Sequence, residues 1–315
     1  MAEPQYSVED LIENIKRRCS VPASQLTYTP EDFTLLASDE MQDEVVPLIM
    51  SAREEYFVDF VDVATPADRA LDIPDYVVGQ KLRSVCYVQQ SSPLVLVNIP
   101  RIDLDVVAGV GFSNFATLAG FYIQGNQLIL YPPNSVPVNT TIRLYFYRRT
   151  LVLAAPAAYG RIISVDSMTN TLVLDNVPSE WASGTPVNSV SSFSPFGVTS
   201  ADGVTVSVVS SPSVILSDVT GIEAGDYLSG LGFSAIPQIP IESHGYLAQL
   251  TAAKALEGLG DRSGMEAALA KAKVLRQSLL VMVSQRVDGS VKKIVNPNGG
   301  MRINCGLWRR GYGRF

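Results

Sequence analysis

Histidine is almost missing from this sequence: His244 is the only one in 315 residues. A Ser-His-Asp type triad would have to be built on that one residue, and no GxSxG elbow accompanies it. Cysteine is nearly as scarce. Cys19, Cys86 and Cys305 lie far apart, with no CxxC pair, so neither a disulfide framework nor a His/Cys zinc site is expected. A reducing compartment follows from the same spacing. Long apolar runs are also missing, and none reaches the roughly 20 residues of a membrane span. The start, MAEPQYSVEDLIENIK, lacks the basic and apolar regions of a secretory signal, so a soluble protein made in the cytoplasm is expected.

Apolar residues make up 47% of the chain and charged ones 17%, enough to build a folded core rather than a disordered chain. The net charge of −7 is divided unevenly. Residues 286–315 hold seven bases and one acid, a net +6, which leaves −13 on residues 1–285. An acidic body with a basic end suggests that the end has a partner of its own.

The periodicity changes four times along the chain. Ser7 and Asp10 make a capping-box start for a helix through Arg18. Thr29-Pro30-Glu31-Asp32 is a second start, with proline at the first helical position and acids facing the positive end of the dipole. Ser38-Asp39-Glu40 reads as a third, opening a helix over 39–55 with Val45, Leu48, Ile49 and Ala52 on one stripe. Pro47 should kink that helix or mark a break in it. Strand alternation follows over 56–63. Segments 82–89 and 94–98 flank Ser91-Ser92-Pro93 as a hairpin, and 102–107 fits a short helix. Residues 120–131 form a hairpin about Gly125-Asn126, and TIRLYFYR at 141–148 is a further strand.

Residues 158–239 are rich in Ser, Val, Thr, Gly and Pro. Short strands alternate there with turns, as in a small β-barrel or sandwich. Helices return over 244–259. Ser263 to Glu266 reads as a capping box for a helix to about 286, with Met265, Leu269, Ala272, Leu275, Leu279 and Met282 as its buried stripe. From 291 to 315 no period remains, which fits an extended arm. The fold expected is α+β: a helical bundle with an antiparallel β region, an inserted all-β domain and an extended C-terminal arm. The expected divisions are 1–157, 158–239, 240–287 and 288–315. The second helical block should pack on the first, since each offers one apolar stripe.

Few residues offer chemistry. His244 begins a predicted helix, where a neutral or capping histidine is the plain reading. Gly109-Val110-Gly111 starts a dinucleotide-loop pattern but has Asn114 in place of the third glycine, so a flexible loop fits better. Asp39, Glu40, Asp43 and Glu44 suit a solvated first turn better than a metal cluster. No catalytic residue, cofactor or metal is expected. The arm holds the positive signal. Arg302, Trp308, Arg309, Arg310, Tyr312, Arg314 and Phe315 combine arginine with aromatics, the types that dominate interface hot spots and that also suit nucleic acid.

Three stretches carry a family resemblance: SDEMQDEVVPLIMSAREEYFVDFVDVAT at 38–65, FYIQGNQLILYPP at 121–133 leading into LYFYRR, and HGYLAQLTAAKALEGLGD at 244–261, followed by the long helix and the ending LWRRGYGRF. In element order the chain resembles the head-to-tail connector (adaptor) proteins of tailed bacteriophages. The β segment at 158–239 is larger than the smaller connectors of that class need. The resemblance implies a ring, usually of twelve subunits, set in the virion neck between portal and tail. It implies that the seven arm residues bind the portal, that a tail or neck protein meets the opposite face, and that genomic DNA passes through. An acidic body suits a channel in which DNA slides without sticking. Two other classes stay open: a nucleic-acid-binding protein using the arm, and a glycan-active enzyme with a β-domain.

Overall fold

The computed structural model describes residues 6–20, 27–102, 120–132, 136–192 and 199–284. The chain divides into two units, Met1–Val283 and Ser284–Phe315. The first unit is mixed α+β.

Two capping boxes start the N-terminal helices. In α1 (Val8–Cys19) the Ser7 amide donates to Asp10 Oδ2 at 3.0 Å, and the Asp10 amide donates back to Ser7 Oγ at 3.3 Å. Thr29 and Asp32 repeat the exchange for α2 (Pro30–Glu40), with Pro30 where a missing N–H costs nothing. The expected third start at Ser38 is not one. Ser38 lies inside α2, 3% exposed, and its hydroxyl accepts the Leu153 amide at 3.3 Å. The chain continues through a π-helical turn, Met41–Val45, into α3 (Val46–Ala52). Pro47 explains the turn, because it has no N–H to give the preceding turn and the ladder slips by one residue. The proline therefore widens the helix rather than beginning a new one. The expected strand from 56 starts later, after a 3-10 turn at Glu54–Phe57.

Strands β1 (Val58–Ala64), β3 (Val77–Ser91), β4 (Leu94–Ile99) and β7 (Thr141–Arg148) form an antiparallel sheet in the order β1-β7-β3-β4. Strands β2 (Ala70–Asp72), β5 (Gly120–Gln124) and β6 (Gln127–Tyr131) form a second, in the order β2-β6-β5. Gly125 takes φ +61°, the left-handed conformation that a two-residue hairpin loop requires. Alternation places Ile142, Leu144 and Phe146 of β7 in a core shared with Leu71, Leu128 and Leu130 of the second sheet. Of the expected helix at 102–107, residues 103–107 lie outside the described residues.

The expected all-β segment is a closed six-stranded antiparallel barrel. Its strands are β9 (Tyr159–Asp166), β10 (Thr171–Leu174), β11 (Pro186–Val190), β12 (Thr199–Ser210), β13 (Ser213–Leu216) and β14 (Tyr227–Gly230). They close in the order β10-β13-β12-β11-β14-β9. The filling is apolar, including Ile162, Leu172, Trp181, Val206, Val214 and Leu228. Gly160 is required where β9 crosses Asn176: a Cβ there would sit 2.0 Å from the Asn176 carbonyl oxygen. A short parallel pair, β8 (Val152–Leu153) with β15 (Phe233–Ser234), holds the chain entering the barrel beside the chain leaving it.

Helix α4 (Ile241–Gly258) is buried nearly all round, packed by α1, α2 and α5 (Arg262–Val283). Arg18 Nη1 donates to Gln249 Oε1 at 2.7 Å, and Gln249 Nε2 to the Ala268 carbonyl at 3.3 Å, which ties three helices together. The two helical blocks thus share one core, as their single stripes required. Two expectations for α5 need correction. Its cap is Asp261, whose Oδ1 accepts the Gly264 amide at 2.9 Å; Ser263 is already helical, and Glu266 reaches back to Arg262. The buried stripe is Ala268, Ala272, Leu279 and Val283, with Met265 and Leu275 partly covered. Leu269 is 46% and Met282 55% exposed. Alanine lets two helix backbones approach closely, so Ala268 and Ala272 take buried places while Leu269 and Met282 are rotated outward.

Candidate functional site

The seven arm residues singled out from sequence (Arg302, Trp308, Arg309, Arg310, Tyr312, Arg314 and Phe315) lie outside the described residues.

His244 does not cap α4. It sits one turn inside, 4% exposed, with its ring 5.3 Å from that of Tyr6. Burial lowers its pKa from 6.5 to about 4, and the carbonyls of Ile239 and Pro237 offset only part of that. Neither ring nitrogen makes a well-formed hydrogen bond. The imidazole is neutral and packed in the core, away from any surface a substrate could reach.

The acidic run at 39–44 is not a solvated first turn. The run lies mid-helix, where Glu40 and Glu44 are half-buried and Asp39 and Asp43 are exposed. Tyr246 Oη donates to Glu44 Oε1 at 3.0 Å, and Arg276 Nε lies 3.9 Å from the same oxygen. Burial raises the Glu40 pKa, and Lys254 opposes the shift. The run joins the α2–α3 helix to α4 and α5. Among the described residues no three His, Cys, Asp or Glu side chains are grouped as metal ligands.

Two surface features have the character of binding sites. One is a groove of about 370 Å³ where α2 meets the barrel base. Leu35, Val152, Leu153, Trp181 and Phe233 line it, with Glu31 and Glu180 at the rim. Leu35 is 61% and Phe233 46% exposed, so the floor is apolar and open. Its geometry suits one large apolar side chain flanked by a base. Its lining comes from four separated stretches of sequence, so no local pattern announced it.

The other is the pair of edges of the four-stranded sheet. At β1, Asp59 Oδ1 accepts the Phe60 amide at 2.8 Å. Asp62 holds Arg143 with two contacts of 2.8 Å, and that guanidinium lies 4.1 Å from the Phe60 ring centroid. Asp59 thus occupies one amide of β1, and Asp62 and Phe60 are held by Arg143 of the neighbouring β7. At β4 nothing comparable is present among the described residues. The signal for β4 was a charge-free run of sequence, but only the strand order shows that the run lies at an edge.

No protein-family model and no curated protein matches this chain.

Proposed function

We propose that the chain is a non-catalytic structural subunit of a virion neck, a head-to-tail connector whose ring, of about twelve copies as the resemblance implies, joins portal to tail. The observation carrying the reading is the division of charge: −13 over residues 1–285 against +6 over 286–315. An acidic body repels the phosphate backbone and lets DNA pass without being held. A short basic segment rich in aromatics binds another protein through bidentate arginine contacts and filled pockets. The neutral, buried His244 supports the non-catalytic part of the reading. In this proposal Arg302, Trp308, Arg309, Arg310, Tyr312, Arg314 and Phe315 meet the portal, and the opposite face receives a tail or neck protein.

The test is truncation. Removing residues 301–315 should abolish attachment to a portal-like partner and leave the circular dichroism spectrum and melting temperature of the rest unchanged. Normal attachment by the truncated chain removes the reading. The basic aromatic composition of the arm also favours nucleic-acid binding. Tight binding of free DNA that weakens steeply with salt, and is lost on the same truncation, would select that alternative.

A further inference from the structure

The groove where α2 meets the barrel base has a wall fixed from both sides. In the β8–β15 pair the Val152 and Ala154 amides donate across to the Gly232 and Ser234 carbonyls, so the Leu153 amide and the Phe233 carbonyl point away from the pair. Both are already bonded. The Leu153 amide donates to Ser38 Oγ of α2 at 3.3 Å, and the Phe233 carbonyl accepts from Asn188 Nδ2 at 2.9 Å and from Ser229 Oγ at 2.8 Å. An added strand finds no free bond at these two groups, so a partner must use side chains. Large apolar side chains stay uncovered there: Leu35 is 61%, Phe233 46% and Val152 38% exposed, and all three line the same groove. Glu31 and Glu180 are the only charged residues of its described lining, and neither forms an ion pair among the described residues.

We propose that this groove binds a segment of another protein in which a large apolar side chain lies beside arginine or lysine. The apolar floor takes the apolar side chain, and the two carboxylates take the neighbouring cation. The sign of the partner follows from the lining: two acids and no base favour a cationic segment and reject an acidic one. A free small molecule is a poor fit, because sites for such ligands enclose most of the ligand surface, whereas Leu35 and Phe233 stand about half exposed or more. A side chain carried on a peptide gains the rim contacts as well. The site uses none of the arm residues and needs no ring, so it goes beyond the connector proposal, and either can fail alone.

The test is fluorescence anisotropy of a labelled Gly-Arg-Phe-Arg-Gly peptide titrated with the full chain at low salt. Saturable binding is expected below about 1 mM. Glycine in place of the peptide's phenylalanine should weaken it about tenfold or more, and aspartates in place of its arginines should abolish it. In the protein, Leu35→Gln and Glu180→Lys should each weaken binding about fivefold. Both positions are exposed, so circular dichroism should show the fold intact, and the peptide substitutions need no variant of the protein at all. No saturation by about 1 mM overturns the proposal. So does binding that neither protein variant changes, which would be a general attraction to the acidic body. Binding shown only by a chain lacking residues 301–315 would assign the groove to this protein's own arm and overturn it too.

Discussion

The barrel and the four-stranded sheet are both antiparallel, yet they leave their backbones in opposite conditions. In the barrel every strand has two neighbours, and the sequence spends its apolar residues inward on Leu172, Val206 and Leu228. The sheet ends twice, at β1 and at β4. One end is guarded by carboxylates and a stacked arginine, the other by nothing of the kind among the described residues. Closure removes the need for edge chemistry, whereas an open sheet must either defend its edges or use them.

The largest way to break this contrast is to prevent the barrel from closing. Gly160→Ala drives a methyl group into the Asn176 carbonyl, and because both are backbone-bound neither can swing aside. We expect a loss of about 3 kcal/mol or more in denaturant unfolding. Trp181 emission should shift to longer wavelength in a chain whose other tryptophan is changed, Trp308→Phe.

Acid sharpens the contrast next. The cluster that fills the barrel is apolar, while the helical core holds His244. Its pKa is about 4 in the folded chain against an ordinary 6.5, so the unfolded chain binds the extra proton between those values. Stability is full above pH 6.5 and falls as pH drops toward 4, by about 3 kcal/mol in all. Asp166, Asp218 and Asp261 stay charged through that window, held low by bonds from the Thr169 and Thr220 hydroxyls and the Gly264 amide. Thermal melts followed by helical circular dichroism should show the decline, and His244→Leu should flatten it.

The smallest effect concerns the guarded edge. Asp59→Ala frees the Phe60 amide and should cost under about 1 kcal/mol. Exchange of that amide should nonetheless quicken clearly. An unchanged exchange rate would mean that the carboxylate guards nothing.

Much of this was legible because local rules and the fold agreed. Both capping boxes, the Gly125-Asn126 hairpin and the barrel's alternating strands follow from short patterns. The misreadings share a cause. Ser38 has the look of a cap, but its hydroxyl is engaged by Leu153, a residue 115 positions away. In α5 the expected Ala272 and Leu279 are buried, but Leu269 and Met282 are exposed and Ala268 and Val283 take the remaining buried places, since the face is fixed by packing on α4 rather than by hydrophobicity alone. The groove and the β4 edge are products of strand and helix order, which no window of sequence contains. The arm residues, on which the proposed function leans most, lie outside the described residues.

The helical core also has a history in time. Helices α1 to α3 meet α4 and α5 in one cluster, yet about 190 residues separate Ala52 from Ile241. At ribosomal rates of about 5–20 residues per second, the first three helices wait on the order of 10–40 s for their partners. During that interval their apolar stripes lack the cover that α4 and α5 give in the finished fold. The sheets and the barrel can be complete before the helical core closes, so synthesis of this protein passes through a stage in which chaperones have an exposed N-terminal target.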